Sequence, residues 1–190
     1  MNIILASKSP RRQELLRRIG IEDYTVLVPE VEESYPAGLS PEETVKYISR
    51  KKALAAKELA APEDLIITAD TMVFLGSERL GKPKDEADAL RMLSALQGKK
   101  HTVCTGVTVL RGEHVLTEAE ATDVYFRPAS EEELLRYIRG GEPMDKAGAY
   151  GVQGKGSLLV RRIEGDYYNV MGLPLVRLSA MLAEFGISLL

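Results

Sequence analysis

The chain has 190 residues, 45% of them hydrophobic and 28% charged, which is enough apolar material for a buried core and too much for a disordered chain. Its formal net charge of −3 gives no general attraction for a polyanion, and no basic patch interleaved with aromatic residues is present, so nucleic acid is not an expected partner. The single cysteine, Cys104, excludes an intramolecular disulfide framework, no run approaches the ~18 apolar residues of a membrane span, and the start lacks a secretory pattern, so a cytoplasmic protein with no membrane partner is expected.

Residues 2–6 read as a short buried strand, followed by a helix over 10–19 that Ser9 would cap, Pro10 would begin and Gly20 would stop. The first turn of that helix carries Arg11 and Arg12, the wrong sign for a helix N-terminus, whose partial positive charge and open N–H groups favour anions. Two arginines beside open amides would make a socket for a phosphate or carboxylate, although solvated cations there would cost only about 0.3–1 kcal/mol. Residues 24–28 read as a second strand that leaves through the acidic Glu30-Val31-Glu32-Glu33. Ser40-Pro41-Glu42-Glu43 has the pattern of a capping box and opens a helix to about residue 59. Val45, Ile48, Ala55 and Leu59 define an apolar stripe on that helix, and Lys52 falls within it, so its ammonium points inward or snorkels along the rim.

Residues 65–75 are the most hydrophobic run in the chain, and their length and β-branched content favour a central strand. Asp70 lies inside this run. A buried carboxylate has to be paired, hydrogen-bonded, metal-bound or protonated, and each option can serve a mechanism. The competing reading, Asp70 capping a turn, conflicts with the apolar Met72-Val73-Phe74-Leu75 that follows. A turn over 76–79 leads to Gly81-Lys82-Pro83, where Lys82 could meet a ligand or sit in a plain turn. A helix over 86–97 should end at Gly98, and residues 101–110 and 114–126 should form a β-hairpin in which Cys104 is a small core residue. A second capping box, Ser130-Glu131-Glu132-Glu133, opens a helix that stops at Gly140-Gly141. Residues 142–156 look like a glycine-rich loop, 157–163 a strand, and 173–185 a closing amphipathic helix, so the class is α/β.

Neither a dinucleotide-binding glycine pattern nor a Walker A loop occurs, and His101 and His114 lack the spacing of zinc ligands. Glu32 and Glu33 follow a strand and, with Asp70, could supply oxygens to a hard divalent cation such as Mg²⁺. Arg11, Arg12, Lys52 and Lys82 together with these carboxylates fit one chemistry, in which cations and a metal neutralise a triphosphate while a carboxylate activates water for attack at phosphorus.

Ser7-Lys8-Ser9-Pro10-Arg11-Arg12, Glu33, Lys52, Ala69-Asp70-Thr71, Gly81-Lys82-Pro83, the segment 145–154 and Gly165-Asp166-Tyr167-Tyr168-Asn169-Val170-Met171-Gly172-Leu173-Pro174 occur in one order that resembles the Maf family of nucleoside triphosphate pyrophosphatases from end to end. The resemblance implies an inosine-triphosphatase-like fold, a long mixed twisted sheet flanked by helices, in a single domain over residues 1–190 with two lobes and an active-site cleft. It also implies hydrolysis of a nucleoside triphosphate to the monophosphate and diphosphate with a divalent cation, Mg²⁺, Mn²⁺ or Co²⁺. Ala69-Asp70-Thr71 and Asp145-Lys146-Ala147-Gly148-Ala149-Tyr150-Gly151-Val152-Gln153-Gly154 look like the branch acting on dTTP and UTP, with modified pyrimidine nucleotides also open. The branch acting on 7-methyl-GTP typically has Ser-Asp-Gln at the first of these sites.

By the same resemblance, Asp70 accepts a proton from the attacking water, and Glu33 and Asp70 hold the metal. Ser7, Ser9, Arg11, Arg12, Lys52 and Lys82 bind the triphosphate. Arg11, Thr71 and Gln153 stand at the positions associated with substrate choice, and the Gln153 amide can offer both a donor and an acceptor to a pyrimidine edge. Two other functions stay open within the family, a regulator of cell division and septum formation that retains a nucleotide pocket, and a house-cleaning pyrophosphatase for a purine or modified nucleotide. A homodimer is also open.

Overall fold

The structure is a computed structural model that describes residues 2–190. Its first half runs β1 (Ile3–Leu5), α1 (Pro10–Arg18), β2 (Thr25–Val26), α2 (Pro41–Lys57), β3 (Leu65–Leu75), β4 (Glu78–Leu80) and α3 (Glu86–Leu96). The second half runs β5 (Lys100–Arg111), β6 (His114–Phe126), α4 (Glu131–Arg139), β7 (Val160–Glu164), α5 (Tyr167–Met171) and α6 (Leu175–Glu184). The strands form a seven-stranded sheet in the order β2-β1-β3-β5-β6-β7, with β4 paired to β3 off that path. β1 is parallel to both β2 and β3, whereas β4 is antiparallel to β3 and β7 to β6, so the sheet is mixed, as expected.

The chain divides into two compact units. One comprises the residues up to Asp70, Thr105–Glu120 and Gly172–Leu190, and the other Thr71–Cys104 and Ala121–Met171. β3, β5 and β6 each give residues to both.

In the first unit, α2 begins with the predicted capping box: Ser40 Oγ accepts from the Glu43 N–H, and Glu43 returns a carboxylate to the Ser40 N–H at 2.8 Å. Its buried stripe is Val45, Ile48, Ser49, Ala53 and Ala56. Leu59 lies beyond the helix end and is 64% exposed, so the stripe follows the small residues Ala53 and Ala56 rather than Ala55 and Leu59. Near its start, α2 also lies close over Gly106 of β5. A Cβ there would lie 2.2 Å from the Val45 carbonyl oxygen. Backbone rests on backbone at that point.

In the second unit, α3 is capped by Asp85, whose side chain accepts from the Asp88 N–H, and the chain leaves the helix through Gly98 at a φ of 67°. α3 and α4 bury Leu93, Leu96, Leu134 and Ile138 in one core with Val73 and Leu80. His101 is buried edge-on against Phe126 and Tyr150, with Nε2 2.8 Å from the Tyr150 hydroxyl, and burial lowers its pKa to about 4. Cys104 is buried, as its apolar neighbours suggest.

Short elements depart from the sequence reading. The turn expected over 76–79 is only Gly76-Ser77, because Glu78–Leu80 pairs back onto β3 as β4. The stretch read as loop over 142–156 contains 3₁₀ turns at Glu142–Asp145 and Ala147–Ala149 and the start of a third, Lys155–Leu158, so β7 begins at Val160 rather than at 157. α5 is unannounced. Elements of one turn carry too few residues to show a period. No helix among the described residues is long and apolar enough to cross a membrane.

Gly106→Ala should force α2 from β5 and lower stability by roughly 3 kcal/mol, since backbone atoms cannot step aside as a side chain tip can. Chemical denaturation checks this; an unchanged midpoint would contradict the close approach.

Candidate active site

Asp70 closes a run of buried residues that begins at Leu65 on β3, and it is 6% exposed. Its Oδ1 lies 2.7 Å from Lys52 Nζ of α2, and the same ammonium lies 2.7 Å from Glu33 Oε1 in the loop after β2. One lysine therefore joins two carboxylates. The other Asp70 oxygen, Oδ2, is buried without a hydrogen-bond partner. A buried charge survives only with a partner, and Lys52 meets that need through Oδ1. Oδ2 keeps its acceptor capacity unused.

The register that brings Lys52 to Asp70 is fixed by hydroxyl groups. Thr68 Oγ1 donates to the Ser49 carbonyl oxygen at 2.7 Å. Ser49 Oγ is 3.0 Å from Thr108 Oγ1, which is 3.0 Å from Thr117 Oγ1. Thr68 and Asp70 share one face of β3, and Ser49 and Lys52 share one face of α2, three residues apart. A bond between Thr68 and Ser49 thus sets the reach of Lys52. Sequence reasoning missed this chain, although polar Thr68 inside an apolar strand was a usable signal.

Arg12 has a different environment from the one its position suggests. Nη1 donates to the Ala69 carbonyl oxygen at 2.8 Å and to Ser7 Oγ at 3.1 Å, and Nε donates to the Gly172 carbonyl oxygen at 2.8 Å. These donors tie α1 to β3 and to the segment before α6. Burial lowers the Arg12 pKa to about 10 against the opposing pull of Asp70, so it stays a cation at neutral pH. Ser9 occupies the N-cap position and Pro10 the first helical one, but the Ser9 side chain makes no capping bond, contrary to expectation. Instead the Ser9 N–H donates to Ser7 Oγ at 3.3 Å. No acidic residue stands in the first turn of α1, where Arg11 sits beside Arg12.

The remaining predicted residues belong to the second unit. Thr71 is partly buried and follows Asp70 on β3, so its side chain leaves the strand on the opposite face. Lys82 is exposed next to buried Pro83, and the Gly81 carbonyl accepts from the Gly148 N–H at 3.0 Å. That bond joins the Gly-Lys-Pro turn to the glycine-rich segment. Gly148 and Ala149 both take positive φ, 69° and 60°. Gln153 is exposed at the bend of the same segment. Among the described residues, no group of three or more His, Cys, Asp or Glu side chains could hold a metal by itself.

This architecture has solved counterparts in the Ham1 proteins. The Staphylococcus aureus Ham1 structure aligns with a TM-score of 0.55 at 16% identity over 97% of this chain and 100% of that one. A Coxiella burnetii HAM1 protein aligns with a TM-score of 0.50 at 12% identity over 97% and 99%. The fold class is therefore the Ham1-like α/β fold. Residues 2–185 match the Maf-like protein family, and the chain belongs to it. A Dictyoglomus turgidum relative named dTTP/UTP pyrophosphatase is 52% identical over 193 aligned residues, 99% of this chain and 98% of that protein. A Symbiobacterium thermophilum protein of the same name is 50% identical over 184 aligned residues, 97% of this chain and 94% of that protein.

Arg12→Lys should lower stability by about 1–3 kcal/mol, because an ammonium cannot reproduce the fork that meets Ser7, Ala69 and Gly172. Equilibrium unfolding in urea measures it. Wild-type stability in the variant would show that these bonds tether nothing.

Proposed function

We propose that this chain is a nucleoside triphosphate pyrophosphatase that hydrolyses dTTP and UTP to the monophosphate and diphosphate. The observation that carries the reading is Asp70, a buried carboxylate fixed through Oδ1 by Lys52 and left with Oδ2 open, in a family member about half identical to proteins named for that activity.

In this reading the Asp70 carboxylate accepts a proton from the attacking water, whose oxygen bonds to phosphorus as the phosphoanhydride bond between the α- and β-phosphates breaks and diphosphate leaves. Lys52 holds the carboxylate still and places its charge toward the phosphates. Ser7 Oγ already accepts two hydrogen bonds, from Arg12 and from the Ser9 N–H, so its own hydrogen is available to donate to a phosphate oxygen. Arg11, at the open N-terminal turn of α1, supplies charge there, and Ser9 lies in the same turn. Arg12 adds its charge while serving as a tether. By the family resemblance Lys82 binds the triphosphate, and Thr71 and Gln153 read the base.

Glu33 and Asp70 fit a hard divalent cation, Mg²⁺, Mn²⁺ or Co²⁺, because both are carboxylates, the oxygen donors such a cation takes, and both lie 2.7 Å from one ammonium. When bound, such a cation supplies electrostatic neutralisation of the phosphate oxygens and polarises phosphorus for attack. With only two protein carboxylates in place, water and the substrate's phosphates would complete its shell.

The test is a panel of canonical and modified nucleoside triphosphates with Mg²⁺, Mn²⁺, Co²⁺ or a chelator, with diphosphate and orthophosphate scored separately. Equal amounts of diphosphate and of dTMP or UMP are expected, with turnover lost under chelation. Orthophosphate alone would reject the assignment, and a purine as best substrate would reject the base preference.

A further inference from the structure

The second unit contains a carboxylate that the reaction does not use. Glu142 lies at the start of the glycine-rich stretch, partly buried, and each of its oxygens is taken. Oε2 accepts from the Lys155 N–H at 2.9 Å. Oε1 accepts from the Gly156 N–H at 3.1 Å and from the Tyr137 hydroxyl at 2.9 Å. The Tyr137 oxygen in turn accepts from the Gly151 N–H at 3.0 Å. Tyr137 and Glu142 therefore grip the chain just before and just after Gln153.

The glycines around Gln153 are small for the same reason. A Cβ on Gly154 would lie 2.4 Å from Glu142 Oε2, one on Gly151 would lie 2.7 Å from Lys146 Cε, and one on Gly156 would lie 2.3 Å from the Gly151 carbonyl oxygen. The two ends of the bend touch each other, and the carboxylate fills the space that side chains would need. Lys146 closes the far side, donating to the Glu142 carbonyl oxygen at 2.7 Å. Burial works to raise the Glu142 pKa, but the hydrogen bonds from Gly156, Tyr137 and Lys155, with the charge of Lys146, outweigh it and hold the carboxyl below its ordinary value. Three donors on an anion make strong, directional bonds.

We infer that Glu142 and Tyr137 are positioning residues that set base selectivity by clamping the bend that presents Gln153. The inference rests on the reading of Gln153 as the group that meets the pyrimidine. An amide can discriminate donor from acceptor patterns only if its backbone is held, because a free loop would let it rotate to suit any base edge. Glu142 supplies that hold through main-chain donors, so it acts without touching the nucleotide.

Glu142→Gln replaces one acceptor oxygen with an NH₂ that meets an N–H or O–H donor, and Tyr137→Phe removes a single hydroxyl from a partly apolar site. In Glu142→Gln, KM for dTTP should rise about tenfold with kcat within about threefold, and the preference for dTTP over dGTP should shrink. Backbone amides over 151–156 should exchange hydrogen faster. Tyr137→Phe should show the same pattern more weakly, and it keeps the question open to measurement should Glu142→Gln fail to fold. Gln153→Ala serves as the reference. If Gln153→Ala loses base preference while folded Glu142→Gln or Tyr137→Phe keeps it, the clamp is overturned and the reading of Gln153 stands. Unchanged preference in Gln153→Ala overturns that reading and the clamp with it, and a uniform loss of kcat on every nucleotide in the Glu142 or Tyr137 variants overturns the clamp alone.

Discussion

A single ammonium group, Lys52 Nζ, lies between Asp70 Oδ1 and Glu33 Oε1 at 2.7 Å from each, and the first unit is arranged to keep it there. Asp70 is 6% exposed on an apolar strand, and stripping one partner from a buried ion pair typically costs about 3–5 kcal/mol. The helix that brings Lys52 is held three ways. Its start is fixed by the Ser40–Glu43 box, its middle by the bare backbone contact at Gly106, and its register by the bond from Thr68 to Ser49. Because Lys52 engages only Oδ1, Asp70 keeps one buried oxygen without a partner.

The two units solve different problems. The first gathers charge, with Arg12 and Lys52 each within electrostatic influence of Glu33 and Asp70, and Arg12 uses its donors on Ser7, Ala69 and Gly172 to hold the local frame. The second shapes backbone. Its glycine-rich segment gains definition from one carboxylate and one tyrosine hydroxyl that bind main-chain N–H groups, and from the bond that joins Gly148 to Gly81. Charge favours the phosphates common to every nucleotide, whereas a fixed polar edge is needed to tell bases apart.

Much of this can be read from the chain itself. β3 announces itself as an unbroken apolar run, Asp70 stands out because it is the lone charge within it, and both capping boxes mark helix starts to the residue. Lys52 shows its partly inward position through its neighbours, although the stripe it borders runs through Ala53 and Ala56. What escapes notice depends on partners far apart in sequence. Arg12 meets Gly172 at a separation of 160 residues, and Thr68 meets Ser49 across two elements whose packing no local pattern encodes. Glu142 is one acid in a loop, a setting that ordinarily means solvation, and nothing in its spacing announces three donors. β4 and α5 are too short for periodicity to reveal them.

The most direct measurement is single-turnover hydrolysis of dTTP by Asp70→Asn, paired with equilibrium nucleotide binding. The substitution preserves shape and leaves Glu33 to pair with Lys52 while removing the proposed proton acceptor. Turnover should fall by about 10²–10⁴-fold with dTTP binding retained. A folded Asp70→Asn protein that binds dTTP and turns it over near the wild-type rate would contradict the role of Asp70 as the base.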